Sequence, residues 1–273
     1  MFHADEIFAT VILAQDEEIN LARVFRVPED ISAIIYDIGG GNFDHHQKGG
    51  NGCRENDIPY AACGLIWNYF GKAILFNNMN CPGEILDKVW EEVDRTLIQG
   101  IDAVDNGKPC PKWAIPVSKV ISTLNPNWDS EETADAAFLR ACELANTIFT
   151  EIVSSVISKV KAETIVESAV EEAENHIMIL DRFVPWTETI FNIPDAEEIW
   201  YVIFPSNRGG FNMQCVPDAP GSFGQRHPIP EEWRGNASAT GIDGCTFVHN
   251  AGFIAACDTQ EAAINLAKEA ARR

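Results

Sequence analysis

The sequence predicts a two-part α/β chain, and three observations predict it. The apolar run Ile34-Ile35-Tyr36 feeds a carboxylate, Asp37, and then the turn Ile38-Gly39-Gly40-Gly41. A strand that delivers an acid to a glycine-rich turn is how open α/β folds present ligand groups at a sheet edge. Apolar residues then recur at helical spacing over 59–70 and 84–101, and over 131–175 with one or two breaks. Beyond 176 the pattern shortens into strand-like runs separated by glycine and proline loops. These shifts divide the chain into a first domain at 1–130, a helical connector at 131–175 and a smaller α/β domain at 176–273.

In order, Ile7, Phe8, Val11 and Ile12 form an apolar helical stripe, with Asp5 and Glu6 in the first turn, where the helix dipole favours acids. Residues 17–26 link this helix to a short strand at 22–26, and 32–36 form the buried strand that ends at Asp37. The triplet Asp44-His45-His46 follows, then a polar, glycine-rich mobile loop at 47–56. The helix at 84–101 runs into Gly100-Ile101-Asp102-Ala103-Val104-Asp105-Asn106-Gly107, where Asn-Gly supplies the stop signal. Asp102 and Asp105, three apart, share a helical face. A short structured segment at 115–124 precedes the connector. In the last part, 177–180, 200–204, 212–216 and 245–249 read as strands and 259–272 as a closing helix.

Composition bounds the function. With 20 Lys and Arg against 41 Asp and Glu, the net charge is −21. Stable duplex DNA binding is not expected, because it rests on neutralising phosphates with basic side chains. Eight scattered cysteines without a C-x-x-C pair predict reduced thiols and a cytoplasmic protein. No apolar run is long enough for a membrane span. P-loop, G-x-S-x-G and strand-borne G-x-G-x-x-G patterns are absent, which removes support for nucleotide cofactors.

What remains is a set of hard donors: His3, Asp5, Asp37, Asp44, His45, His46, Asp102 and Asp105. Four of them have a plainer reading. His3 and Asp5 cap a helix, and Asp102 and Asp105 are acids at a helix end. Mixed His and Asp donors without Cys suit Mn²⁺, Mg²⁺, or a harder use of Zn²⁺ or Fe²⁺, rather than a structural zinc. Eight are too many for one ion but suit two ions sharing a carboxylate, the arrangement that activates water against a phosphoryl group. Arginines beside glycines recur in Asn207-Arg208-Gly209-Gly210-Phe211, Gln225-Arg226-His227 and Glu232-Trp233-Arg234-Gly235, a pattern fit to clamp an anion.

The order His-x-Asp, strand-borne Asp, Asp-His-His, then Asp after a helix resembles the DHH phosphoesterase superfamily. Within it, Phe-His-Ala-Asp-Glu, Tyr-Asp-Ile-Gly-Gly, Phe-Asp-His-His-Gln, Asp-Ala-Val-Asp-Asn-Gly and Cys-Thr-Phe-Val-His-Asn-Ala-Gly-Phe-Ile resemble the melanocyte-proliferating-gene family. The resemblance spans nearly the whole chain. It implies an N-terminal DHH-type catalytic domain with a largely parallel sheet flanked by helices, and a C-terminal substrate-binding domain. It further implies a metal-dependent hydrolase, a 3′–5′ exonuclease on RNA or short oligonucleotides, working with two Mn²⁺ or Mg²⁺ ions between the domains. By the same resemblance His3 and Asp5 bind one metal and Asp37 bridges. His45 and one of Asp102 or Asp105 complete the second site, His46 contacts the phosphate, and Asp44 orients an imidazole. Arg208, Gly209, Gly210, Arg234 and His249 hold the phosphate or terminal nucleotide. Relatives carry a strand and a Thr-His-Asn-Gly-like stretch before Phe-His-x-Asp-Glu, where this chain has only Met1. The alternatives are a catalytically weak metal- or nucleotide-binding regulator and a phosphatase of a small metabolite. A homo-oligomer is compatible with all three.

Overall fold

A computed structural model describes residues 1–16, 19–111, 113–194 and 196–273, in two units, Met1–Val160 and Lys161–Arg273. The first unit is helical among its described residues. Helix α1 (Ala4–Leu13) is apolar almost all round and is accordingly buried on nearly every side. It packs against α2 (Ala62–Asn77), α4 (Gln99–Asp105) and α5 (Val117–Ser122). Phe8, Ile12, Trp67 and Leu75 are fully buried in that core, each contributing about 1.5–3 kcal/mol by leaving water.

The region expected as one helix at 84–101 is α3 (Leu86–Val93), a wide π turn (Asp94–Ile98) and α4. Such turns insert a residue into the helical register and re-aim the side chains after it. The connector expected with breaks is one helix, α6 (Ala134–Glu171), of 38 residues. No described helix is long and apolar enough to cross a membrane.

Two expectations need correction. Residues 22–26 and 32–36 form no strand, and the parallel sheet expected in the first unit is absent among its described residues. Positions 17 and 18 of the expected link lie outside the described residues. The physical reason is the lack of a partner. A strand exists only as a pairing, and among the described residues 22–36 pair only through an isolated bridge between Tyr36 and Phe43. Phe25, Ile31 and Ile34 are correspondingly exposed.

The sheet lies in the second unit and is mixed. Its strands are β1 (Ile177–Ile179), β2 (Tyr201–Pro205), β3 (Phe211–Cys215), β4 (Cys245–Val248) and β5 (Ile254–Cys257), ordered β1-β2-β3-β5-β4. Only β1–β2 is parallel. β2 is apolar on both faces because both are covered. Tyr201 and Ile203 pack with Leu266 and Ala267 of α7 (Gln260–Ala270), while Val202 and Phe204 pack with Val166, Trp186 and Ile190.

Candidate metal centre

The first unit assembles the site from three stretches. His3 is the N-cap of α1, its backbone N–H donating to Glu6 Oε2 at 3.1 Å, so the helix start is fixed by the acids beside it. Asp5 sits in that first turn, 1 % exposed, and no protein donor reaches either of its carboxylate oxygens.

The second stretch is a turn rather than a strand end. Asp37 takes a left-handed backbone, φ +61°, and its N–H donates to the Phe43 carbonyl at 2.9 Å, closing the glycine turn. Gly39, φ +92°, must be glycine: a Cβ there would stand 2.7 Å from Val27 Cγ2. Asp44 accepts from the Gly40 N–H at 2.7 Å and the His46 N–H at 2.8 Å. Burial would raise its pKa, but these bonds outweigh it and hold Asp44 below the usual carboxylate range.

The triplet leaves that turn. His45 Nε2 lies 2.9 Å from Asp105 Oδ2, and His45 Nδ1 lies 3.7 Å from Asp37 Oδ1. His46 stacks on His45 with centroids 4.1 Å apart, is 61 % exposed, and has Nδ1 3.1 Å from Asp44 Oδ1.

The third stretch is the end of α4. Asp105 meets His45 there, and its Oδ1 lies 3.5 Å from His3 Nδ1. Asp102, three residues earlier and 0 % exposed, stands outside the cluster. It accepts from Arg54 Nη1 at 2.8 Å and from the Gly64 N–H at 3.0 Å. Gly64 leaves no room for a side chain, since a Cβ would fall 1.9 Å from Asp102 Oδ2. Arg54 also grips Asp94, at 2.8 and 2.6 Å, from the π turn. The loop expected to be mobile at 47–56 is therefore pinned by a buried ion pair. Nothing in the sequence distinguishes Arg54 from a surface arginine, so its role is not legible there.

The electrostatics are those of an acidic cluster out of water. Burial, then the charges of Asp105 and Glu6, push Asp5 up to about 7. Burial, then Asp5, Glu6 and Asp105, push Asp37 up to about 9. The hydrogen bond to Asp105 raises His45 despite its burial. Burial would raise Asp105, but His45 and His3 hold it down. Unpartnered atoms in the cluster are Asp5 Oδ1 and Oδ2, Asp37 Oδ1 and His45 Nδ1. Three donor sets have ligand atoms within 4.8 Å of one another: Asp5, His45 and Asp105; Asp37, His45 and His46; His3, Asp5 and Glu6. Donors bound ~2.1 Å from one ion stand ~3–4 Å apart, so these spacings fit coordination after small side-chain movements. Glu6 enters through its place one turn from His3, a signal the sequence carried.

The second-unit residues do not form one site. Arg208, Gly209 and Gly210 make the β2–β3 turn, with Gly209 N–H on Ser206 O at 3.0 Å and Ser206 N–H on Gly210 O at 2.9 Å. His249 follows β4, beside Gly235, Phe247 and Asn250 in a cavity of about 390 Å³. Arg234 donates from Nε to the Ile229 carbonyl at 3.0 Å. Since Phe211 pairs with Cys257 and Cys257 with Cys245, the β2–β3 turn lies at the end of the sheet where β4 begins. His249 lies at the other. Strand direction separates the two groups.

A buried, oxygen-rich donor cluster on an α/β chain is a candidate site for hard divalent cations. The chain belongs to the MYG1 family, whose profile, described as "Uncharacterised protein family (UPF0160)", matches residues 1–271. It is 31% identical to a MYG1 protein of Schizosaccharomyces pombe, covering 98% of this chain and 94% of the relative. It is 29% identical to the rat MYG1 exonuclease, covering 98% and 81%, and 28% identical to the human MYG1 exonuclease, covering 98% and 82%. No solved structure matches at a significant level.

Proposed function

We propose that this chain is a metal-dependent phosphodiesterase of the DHH type, a 3′–5′ exonuclease acting on RNA or short oligonucleotides with two Mn²⁺ or Mg²⁺ ions. The observation that carries the reading is the convergence of Asp5, Asp37, His45 and Asp105 with buried oxygens and a ring nitrogen that no protein group satisfies. Buried polar atoms in native proteins are paired with few exceptions, and a cation is the partner this donor set fits. The exonuclease names of the mammalian relatives support it.

Asp5, Asp37, His45 and Asp105 would hold the ions, with His3 at the rim. Bound divalent ions supply Lewis-acid activation of water and charge neutralisation on a phosphoryl group. The remaining chemistry belongs to the chain. Asp44 fixes the His46 ring through Nδ1, which leaves Nε2 for a phosphate oxygen. A cavity of about 380 Å³ opens beside the donors, lined by His3, Asp5, Asp105, Ser118, Lys119 and Ser122. That volume is in the range of small-ligand sites and suits a terminal nucleotide. Lys119 gives it a cation, and Ser118 Oγ is buried there without a partner. In a chain of net charge −21, such local groups must take up the substrate's charge.

The test is hydrolysis of 3′-labelled and 5′-labelled RNA oligonucleotides with and without Mn²⁺, in the parent chain and in Asp37→Ala and His45→Ala. Stepwise shortening from the 3′ end that requires the ion, and is lost in both variants with the circular dichroism unchanged, is the expected outcome. Undiminished hydrolysis in either variant removes the reading. Ion binding without turnover points to a regulator, and turnover confined to a phosphorylated mononucleotide or metabolite to a phosphatase.

A further inference from the structure

Cys245 opens β4 and Cys257 closes β5, and the two are direct cross-strand partners. The Asp258 N–H donates to the Gly244 carbonyl at 2.8 Å, so the ladder bond lies just outside this pair. In an antiparallel ladder that pattern makes 245 and 257 a non-hydrogen-bonded pair, the kind whose Cα atoms approach to ~4.5 Å. Disulfides span Cα separations of ~4.4–6.8 Å, so the backbone already stands at a bridging distance. The side chains agree, since directly opposed residues of a ladder project from the same face of the sheet. Both are reduced in this structure.

The two sulfurs differ in a way that orders the chemistry. Cys257 is 2 % exposed, whereas Cys245 is partly open to solvent. The hydrogen bond from Cys257, with help from Thr240 and the Phe247 N–H, outweighs burial and lowers Cys245 to about 7. The same bond, with burial, raises Cys257. An accessible thiolate beside a buried protonated thiol is an attacking and resolving pair.

We propose that Cys245 and Cys257 are a redox modification site that closes to a cross-strand disulfide on exchange with a small-molecule disulfide such as oxidised glutathione. The Cys245 thiolate attacks one glutathione sulfur, forming a mixed disulfide and releasing one glutathione thiolate. The Cys257 sulfur then attacks Cys245 Sγ, its proton passes to the leaving thiolate, and a second glutathione departs. Two protein thiols are oxidised to one disulfide while one glutathione disulfide is reduced to two glutathiones. The bridge lies under the β2–β3 turn. A Cβ on Gly210 would fall 2.3 Å from the Cys257 carbonyl, so the Arg208-Gly209-Gly210 backbone rests directly on the strand that the disulfide would tie down.

The full-length chain is incubated in glutathione redox buffers, quenched with an alkylating reagent and mapped by mass spectrometry. The expected product lacks two hydrogens and joins the peptides containing Cys245 and Cys257, and dithiothreitol restores both thiols. In Cys257→Ser, glutathione should accumulate on Cys245. In Cys245→Ser, Cys257 should remain unmodified. A lasting glutathione adduct on Cys245 of the parent chain overturns the proposal, as does preferential bridging through any other cysteine. Continued alkylation of both residues after oxidation overturns it as well.

Discussion

Free of any bound ion, the donor cluster should be a source of instability, and replacing Asp37 by asparagine should relieve it. Asp37 rises from 3.8 to about 9 on folding, so the folded state holds that proton more tightly than the unfolded chain. A carboxylate with a raised folded pKa favours the fold at low pH, and the advantage is lost as pH climbs from near 4 toward 9. Each tenfold gain in proton affinity is worth about 1.4 kcal/mol, so at pH 7 the span above 3.8 amounts to about 4 kcal/mol for Asp37. Asp5, raised to about 7, adds to this, but the repulsion between the two raises both groups and counts once. The pair together then costs on the order of 5 kcal/mol, a large part of the ~5–15 kcal/mol that usually holds a domain together. Asparagine tolerates the left-handed backbone at 37 about as well as aspartate does. Urea unfolding in the presence of a chelator, at pH 5 to 8, should therefore show the parent chain losing stability with rising pH. Asp37→Asn should lose less, and at pH 7 it should be more stable by about 2–4 kcal/mol. His45, also raised, slopes the same way, whereas His227, lowered by burial and by His176, slopes against it, so the difference between the two proteins is the informative quantity. Mn²⁺ at about a hundred times its dissociation constant should return about 2.7 kcal/mol to the parent and little to the variant. An Asp37→Asn protein less stable than the parent at pH 7, or a parent whose metal-free stability rises from pH 5 to 8, would refute the reasoning.

Three further outcomes follow from the packing around the cluster. Asp105→Asn should weaken Mn²⁺ binding by about tenfold or more, whereas Asp102→Asn should leave it nearly unchanged, as read by calorimetric titration. Arg54→Met should cost about 3–5 kcal/mol in a thermal melt, because it strands Asp102 and Asp94 without their cation, and a loss under about 1 kcal/mol would contradict the ion-pair assignment. Gly64→Ala places a methyl group against the Asp102 carboxylate and should destabilise by about 1–3 kcal/mol or more while leaving the donor residues of the cluster in the chain.

Much of the cluster was readable because hard donor groups are recognisable by residue type. His3, Asp5, Asp37, His45 and Asp105 are all found at the cluster. What periodicity could not do was choose between Asp102 and Asp105. Residues three apart share a helical face, and the arbiter, Arg54, is 48 positions from Asp102 in a loop that reads as plain polar chain. Four of the five strands were legible from aromatic and β-branched runs. The fifth, Ile254-Ala255-Ala256-Cys257, was not, because its small residues carry little strand preference. Residues 32–36 show the opposite failure. Their composition favours a strand, but strand formation is decided by a neighbour's backbone, and a linear pattern holds no information about whether one is present.

The same neighbour-dependence explains how so many acids coexist in the metal-free cluster. Burial and the charges of Asp5, Glu6 and Asp105 raise Asp37 far above the usual carboxylate range, so it holds its proton there. Glu6 Oε1 lies 3.6 Å from Arg23, itself paired with Asp135 and placed over the Phe138 ring. The arginine thus offsets charge on the Glu6 side of the acidic group, while burial and mutual repulsion raise Asp5 and Asp37. Asp5, Asp37, His45 and Asp105 would hold a divalent ion only with their carboxylates ionised, so ion uptake would be coupled to proton release. Ion affinity in this centre must then rise with pH through the range in which Asp5 and Asp37 hold their protons, the range in which the metal-free fold weakens.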